Sequence, residues 1–402
     1  MTAGLYAPPD GRFLERAAPA LARCGHLEVV PSGLWMPERT SFQPNGYLPW
    51  VADWQQRLGV PVIAHGTWLD PCGGGPDEAW LEKLAAVHEC LGFAWFTDHL
   101  GACTLDGRTL TLPVPVPWTA GACAKTRAAL DAVAAIVGLV GLENSAFYVD
   151  AGDDATFLSH ACAAPHAMLL DVQNLVVAEQ NLGLDVAAWL DRAPLERVIE
   201  VHVAGGGRSA PGWLPSGATY ALDSHDGTVP ERTWALLQEV VPRLPSLRAL
   251  TLERLEGTLD DGDVPGLIRD LERLASLAAA CPEAAPLPPG TPRAPLVAGP
   301  AVDAVWGQAL CADDPSTAWG GADEGWLGAV AQQSDGVLLT ARLVLQLRFG
   351  RLMRGSVPAS RWFERDPQGF TEAWRVYHRE VPPTARTPGA EARAFEGWVA
   401  AG

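Results

Sequence analysis

The sequence predicts a parallel α/β fold closed into a (β/α)8 TIM barrel and followed by a C-terminal, mainly helical domain. Three observations carry this. Eight short runs, most of them nearly continuously apolar until their last residues, recur within the first 254 positions, as strands covered on both faces do. Helix-like stretches separate many of them. Polar residues able to do chemistry gather at the ends of the runs. Alternation of strand and helix implies a parallel sheet, and eight units suggest closure. A doubly wound open sheet is the competing arrangement.

The elements follow in order. The first strand is GLYA (4–7), very short and near the terminus. A helix over FLERAAPALARC leads to HLEVV (26–30). VPVIAH (60–65) is next, and then the turn CGGG (72–75), read as a mobile loop. That turn lacks the GK[ST] ending of a phosphate loop. DEAWLEKLAAVHECL precedes FAWFTDH (93–99), and KTRAALDAVAAIV precedes LVGLEN (139–144). DATFLSHACAA precedes AMLLDV (167–172), DVAAWLDRA precedes VIEVHVAG (198–205), and VPERTWALLQEVV precedes LRALTLER (247–254). DVPGLIRDLERLASLAAA completes a barrel domain over 1–280. The Pro-rich CPEAAPLPPGTPRAPLVA (281–298) reads as a semi-rigid linker. Over 299–402, AVDAVWGQALC, EGWLGAVAQQ, GVLLTARLVLQLRFGRLM, GFTEAWRVYHRE and AEARAFEGWVAA read as helices.

Composition narrows the function. With 48% hydrophobic residues the chain can bury a sizeable core. Its 47 acidic residues against 29 Lys and Arg give a net charge of -18, which argues against a nucleic-acid partner. An acid-rich metal site or a basic peptide would suit that balance. The eight cysteines are scattered, with no CxxC pair, and MTAGLYAPPDGRF has no apolar signal segment. Reduced thiols and a cytoplasmic location are expected. No run approaches the roughly 18 uninterrupted apolar residues of a membrane span.

The polar residues converge. His65 ends its strand, and so do Asp98 with His99, Glu143 with Asn144, and Glu253. Asp171 ends another, with Asn174 just beyond. His202 lies near the end of VIEVHVAG, and Asp223 and His225 lie in the loop that follows it. In a barrel these ends share one mouth, where barrel enzymes place their chemistry. Acids inside apolar strands are costly unless paired, hydrogen-bonded or metal-bound. Four histidines (His65, His99, His202, His225) and four carboxylates (Glu143, Asp171, Asp223, Glu253) exceed the needs of one ion. A mixed N/O set suits iron, manganese or zinc. Two or three ions are expected, and a salt-linked mouth without metal is the alternative. His88, His160, His166 and His378 are read as structural. Cys103, after DHLG, could face the mouth, but nothing marks it as a nucleophile.

The motifs IAHGTWL, FTDHLG, LPVPVPWT, LENSAFYV, LLDVQNLVV, VIEVHVAG, LDSHDGTVPERTWAL and LERLEG, in this order over roughly residues 4–275, resemble the DUF692 family of multinuclear non-heme iron-dependent oxidases. The resemblance implies a xylose-isomerase-like TIM barrel. It also implies iron with dioxygen as co-substrate, and oxidative modification of a residue, cysteine above all, in a ribosomally made precursor peptide. Many such enzymes act with a small partner protein. By that resemblance His65 matches the histidine of the family's HG strand and His99 that of EHL. Glu143 matches the glutamate of LEN, Asp171 the aspartate of DVNN and His202 the histidine of EIHLAG. Asp223 and His225 match the DTH pair, and Glu253 the final ER. There are departures. Gln180 stands where a histidine is expected, Leu182 replaces the next one, Gln173 an asparagine and Asp98 a glutamate. The second strand reads LEVVPSG, not LEVHSEN. Two firmly held irons are expected. Gln180 and Asn174 mark a third position that is weak or absent.

The tail from ERDPQGFTEAWRVYHREVPPTA onward resembles the helical partner or accessory proteins of such oxidases. It would then supply peptide recognition in cis, raising the local concentration of a captured peptide. A helical cap that only stabilises the barrel is the other reading. Competing functions are a Zn- or Mn-dependent hydrolase or sugar isomerase on the same barrel, an endonuclease IV-like site among them, and a non-catalytic peptide-binding protein.

Overall fold

The structure is a computed structural model that describes residues 1–299, 304–319 and 325–401. Ten strands are present among them: β1 (Thr2–Tyr6), β2 (Leu27–Val29), β3 (Val62–Gly66), β4 (Phe96–His99), β5 (Ala102–Leu105), β6 (Arg108–Val114), β7 (Val140–Glu143), β8 (Ala167–Asp171), β9 (Val198–Ala204) and β10 (Ala249–Glu253). Eight of them close a parallel barrel in the order β1-β2-β3-β4-β7-β8-β9-β10. β1 pairs with both β2 and β10, so no edge is left and the open sheet is excluded. Nearly every strand residue is buried, as expected where helices cover the outside and side chains fill the inside.

β5 and β6 form a hairpin outside the barrel, which the sequence reading missed. Its signal is Asp106-Gly107. Both residues have positive φ, 49° and 73°, the two-residue turn that such a pair favours between β-rich runs. Three further helices were also missed: Tyr47–Leu58, Val172–Leu182 and Val357–Arg365. The turn at 72–75, expected to be mobile, is clasped. The Asp70 carboxylate accepts from the N–H groups of Gly74 at 2.6 Å and Cys103 at 2.6 Å, and from the Thr104 hydroxyl.

The C-terminal region is mostly helical, as expected. Trp306, Val330, Val337, Ala341 and Val344 bury into the same core as the barrel. Farther on, Leu352, Phe370, Trp374, Tyr377 and Phe395 form their own cluster around a buried Arg348–Glu391 ion pair of 2.8 Å. The helix Ser334–Gly355 connects the two. Its Leu339 packs with Ala146 and Tyr148 of the loop after β7, and its Arg351 donates to Thr111 of β6. The segment 281–298 has no helix or regular strand. It lies against the barrel, with Ala285 N–H donating to Pro245 O and Ala164 N–H to Pro289 O, both at 2.8 Å. No helix among the described residues is long and apolar enough to cross a membrane.

Candidate metal centre

β3, β4 and β7 lie side by side, and the register sets His99 against Glu143. Their parallel ends therefore bring two imidazoles over one carboxylate. His65 Nε2 is 3.2 Å and His99 Nε2 3.4 Å from Glu143 Oε2. The other nitrogens are held from behind: His65 Nδ1 by the Thr97 hydroxyl at 2.9 Å and His99 Nδ1 by Gly66 O at 3.2 Å. Gly66 must be glycine, since a Cβ there would meet Asp98 Oδ2 at 2.4 Å and Phe96 Cζ at 2.5 Å. Asp98 accepts from Leu69 N–H at 2.8 Å and from His99 N–H at 2.7 Å. It braces the loop after β3.

The second half of the site comes from β8, β9 and β10. Asp171, in register with His202, caps the helix Val172–Leu182 through Oδ1, accepting from Asn174 N–H at 2.8 Å. That leaves Oδ2 facing inward without a partner. Asn174 Nδ2 donates to Glu143 Oε1 at 3.3 Å. His202 Nδ1 is 3.1 Å from Glu253 Oε2 and 4.0 Å from Glu143 Oε1. His225 Nε2 is 2.6 Å from Asp223 Oδ1 and 3.6 Å from Glu253 Oε2. His225 has φ 47°, the left-handed region that costs a non-glycine residue about 1–3 kcal/mol. The loop accepts that strain while Leu255 N–H and the Thr258 hydroxyl bind the His225 carbonyl.

Several of these close approaches are not hydrogen bonds. Among the described residues, most of the buried side-chain N and O atoms without a hydrogen-bond partner lie here. They are Glu28 Oε1, His65 Nε2, Glu143 Oε2, Asp171 Oδ2, Asn174 Oδ1, His202 Nδ1, Asp223 Oδ1, both nitrogens of His225, and Glu253 Oε2. Buried polar atoms rarely go unpaired, and such a concentration requires a reason. Three groups have ligand atoms within 4.8 Å of one another: Glu28, His65 and His202; His65, His99 and Glu143; Glu143, Asp171, His202 and Glu253. Imidazole with carboxylate is a donor set for a first-row transition ion, so the residues fit bound metal.

Charge in the metal-free chain follows the same geometry. Burial would lower His202, His225 and His99, but the carboxylates beside them prevail. Glu253 and Glu28 carry His202 well above its ordinary value, Asp223 and Glu253 do so for His225, and Glu143 and Asp98 raise His99 to about 10. Burial, with Glu143 and Asp223 beside it, holds Asp171 well above the carboxylate range. A cation entering here would displace these protons.

The family model described as "RiPP precursor modification enzyme MbnB/TglH/ChrH" matches residues 22–278. The chain belongs to this family. A UPF0276 protein of Bordetella bronchiseptica is 32% identical over 284 residues, 67% of this chain and 86% of that protein. One from Rhizorhabdus wittichii is 29% identical over 281 residues, 67% of this chain and 91% of the other. Among solved structures, endonuclease IV from Thermus thermophilus aligns with 68% of this chain and 99% of its own, at 19% identity and a TM-score of 0.41. A xylose isomerase domain protein from Planctomyces limnophilus aligns with 69% and 95%, at 14% and 0.42. The chain is a closed-barrel member of a family of RiPP precursor modification enzymes, which implies a precursor peptide as the class of substrate.

The eight histidines and carboxylates singled out in the sequence, with Asn174, lie in one cluster. Gln180 does not. It is exposed on the helix Val172–Leu182 and meets Arg208 at 3.4 Å. Nine residues of helix carry it about 13 Å along the axis from Asp171. Sequence reading missed Glu28, wholly buried on β2, whose Oε2 is 2.9 Å from His202 Nε2. It also missed Glu200, wholly buried on β9. A carboxylate inside an apolar strand was the signal in both. His88, His160, His166 and His378 lie elsewhere, against Phe93 N–H, Ala294 O, Asp131 and Arg348 respectively.

Above the centre is a cavity of about 210 Å³. His65, His99, Asp223, His225 and Glu253 form its floor. Tyr6, Val30, Cys103, Leu112, Tyr148 and Leu255 contribute walls, and neither Lys nor Arg lines it. Burial, with Asp70 and Asp98 nearby, pushes the Cys103 thiol well up, so it stays protonated.

Proposed function

We propose that this enzyme uses iron and dioxygen to oxidise a residue, cysteine, in a ribosomally made precursor peptide. The observation that supports it is the set of unpartnered buried nitrogens and oxygens beneath a small cavity, in a chain whose family modifies such peptides. His65, His99 and Glu143 would hold one ion, and Glu143, Asp171, His202 and Glu253 a second. Asp223 and His225 with Glu253 would offer a weaker third position, because Glu253 already faces His202. Iron, when bound, supplies an ion of variable oxidation state that can bind dioxygen at an open position.

The chain's own groups would orient and exclude. The cavity admits a side chain, not a folded segment. Its walls carry no cation, so a substrate thiolate would find its counter-charge only at the floor. Tyr148 accepts from Asp223 N–H at 3.3 Å, and burial and the Asp223 charge raise its hydroxyl well above the usual range. Its proton therefore stays on, free to be donated to Asp223 or to an oxygen in the cavity. The C-terminal helices, set against the hairpin and the loop after β7, would guide the peptide to the mouth and take the role of a separate partner.

Metal analysis with Mössbauer spectroscopy on protein purified anaerobically from iron-supplied cells tests this reading. Two or more spin-coupled irons per chain, with oxygen uptake on adding the cysteine-containing peptide, is the expected result. One zinc and no iron, even after anaerobic reconstitution with iron, would replace it with a hydrolase or isomerase.

A further inference from the structure

We infer that Glu28 is a positioning residue of this centre: it accepts the Nε2 proton of His202 and so fixes Nδ1 as the ligating atom. The inference rests on the metal reading above. Glu28 is the middle residue of β2, paired with Tyr6 on β1 and Ile63 on β3. It is fully buried and faces the interior. The three barrel imidazoles are held differently. His65 and His99 present Nε2 to Glu143, and their Nδ1 atoms rest on a hydroxyl and a backbone carbonyl. His202 is reversed. Its Nδ1 faces Glu253 and Glu143 without a hydrogen-bond partner, and its Nε2 meets the Glu28 carboxylate at 2.9 Å.

Glu200 cannot take that place. It lies 3.7 Å from His202 Nε2. Its oxygens are engaged by the Thr251 hydroxyl at 2.6 Å and the Trp95 indole N–H at 2.7 Å. Glu28 has one oxygen bound to the imidazole and the other without a partner. A buried carboxylate left so bare is costly, and a cation beyond the imidazole offsets that cost. A carboxylate behind a ligating histidine fixes its tautomer and raises its basicity, and loss of such a partner typically lowers metal affinity about 10–100-fold.

The test is a Co²⁺ titration of the full-length, metal-free protein against a chromophoric chelator, for wild type, Glu28→Gln, Glu28→Ala and Glu28→Asp. The glutamine variant keeps the volume and one acceptor but loses the charge. It is expected to bind as many ions as wild type, with one class weakened about 10–100-fold and the others unchanged. Alanine should weaken that class at least as much, and aspartate should recover part of it. In the cobalt form, the exchangeable imidazole N–H resonance of His202 should move in Glu28→Gln while those of His65 and His99 stay. Unchanged affinities in every variant, with only a lower Tm, would overturn the inference and leave Glu28 a structural residue. Loss of a whole equivalent of cobalt in Glu28→Gln would also overturn it, by making Glu28 a ligand. Absence of cobalt binding by the wild type would instead sink the metal reading itself.

Discussion

Replacing Glu143 with glutamine perturbs the centre at its most shared point. Oε2 faces His65 and His99, while Oε1 faces His202 and receives Asn174. Glu143 belongs to two of the three ligand groups, whereas Asp223 belongs to none of them and its carboxylate meets His225 at the outer edge. Glutamine has the same shape but no charge, and its amide is a poor ligand. Suppose metal is present at about 100 times each dissociation constant. Binding then stabilises the folded chain by about 2.7 kcal/mol per site. A roughly 100-fold loss of affinity at both positions removes most of two such increments, about 5 kcal/mol. Asp223→Asn should remove at most one, about 2.7 kcal/mol. Denaturant unfolding with and without Co²⁺ measures both, and the difference within each variant cancels any effect on the metal-free fold. If the metal-dependent stabilisation lost in Glu143→Gln is no larger than in Asp223→Asn, Glu143 does not serve two ions.

Four other outcomes are expected. Gln180→His should leave metal stoichiometry unchanged, because that side chain is exposed and meets Arg208; a gained equivalent would contradict this. Leu339→Ala, at a fully buried contact between the C-terminal helix and the loop after β7, should cost about 2–5 kcal/mol in denaturant unfolding. Gly336→Val should disturb the cavity wall, since any Cβ there meets the Tyr148 carbonyl oxygen; a weakened KM for peptide with unchanged metal content is the expected signature. The fourth concerns pH. Burial and the Arg348 guanidinium lower His378 to about 4, against about 6.5 in the unfolded chain. The unfolded chain therefore binds the extra proton between these values. The contribution is complete above about pH 6.5 and is lost as pH falls through about 4, with a slope of at most about 1.4 kcal/mol per pH unit. Unfolding of wild type and His378→Gln at about pH 7 and about pH 5, either side of that ordinary value, should show the wild type losing more.

Much of the barrel was legible because its signals are local. Eight apolar runs, most of them with polar residues at or near their ends, specify strands buried on both faces and a chemical mouth at their C-terminal ends. His65, His99, Glu143 and Glu253 could be found because a strand end is visible in one dimension. The hairpin β5–β6 was missed although Asp106-Gly107 announces its turn, because its strands pair with each other and not with the barrel. Tertiary structure alone decided what depends on neighbours distant in sequence. Glu28 and His202 are 174 positions apart, and nothing local to LEVV says that its glutamate backs an imidazole on β9. The resemblance puts Gln180 where a histidine is expected, yet the helix begun by Asp171 leaves it exposed. Likewise the sequence marked the last hundred or so residues as helical, but only packing joined Leu339 and Arg351 to the walls of the cavity. The strand pattern is set by which residues must leave water. The site is set by which of them meet once the strands have closed.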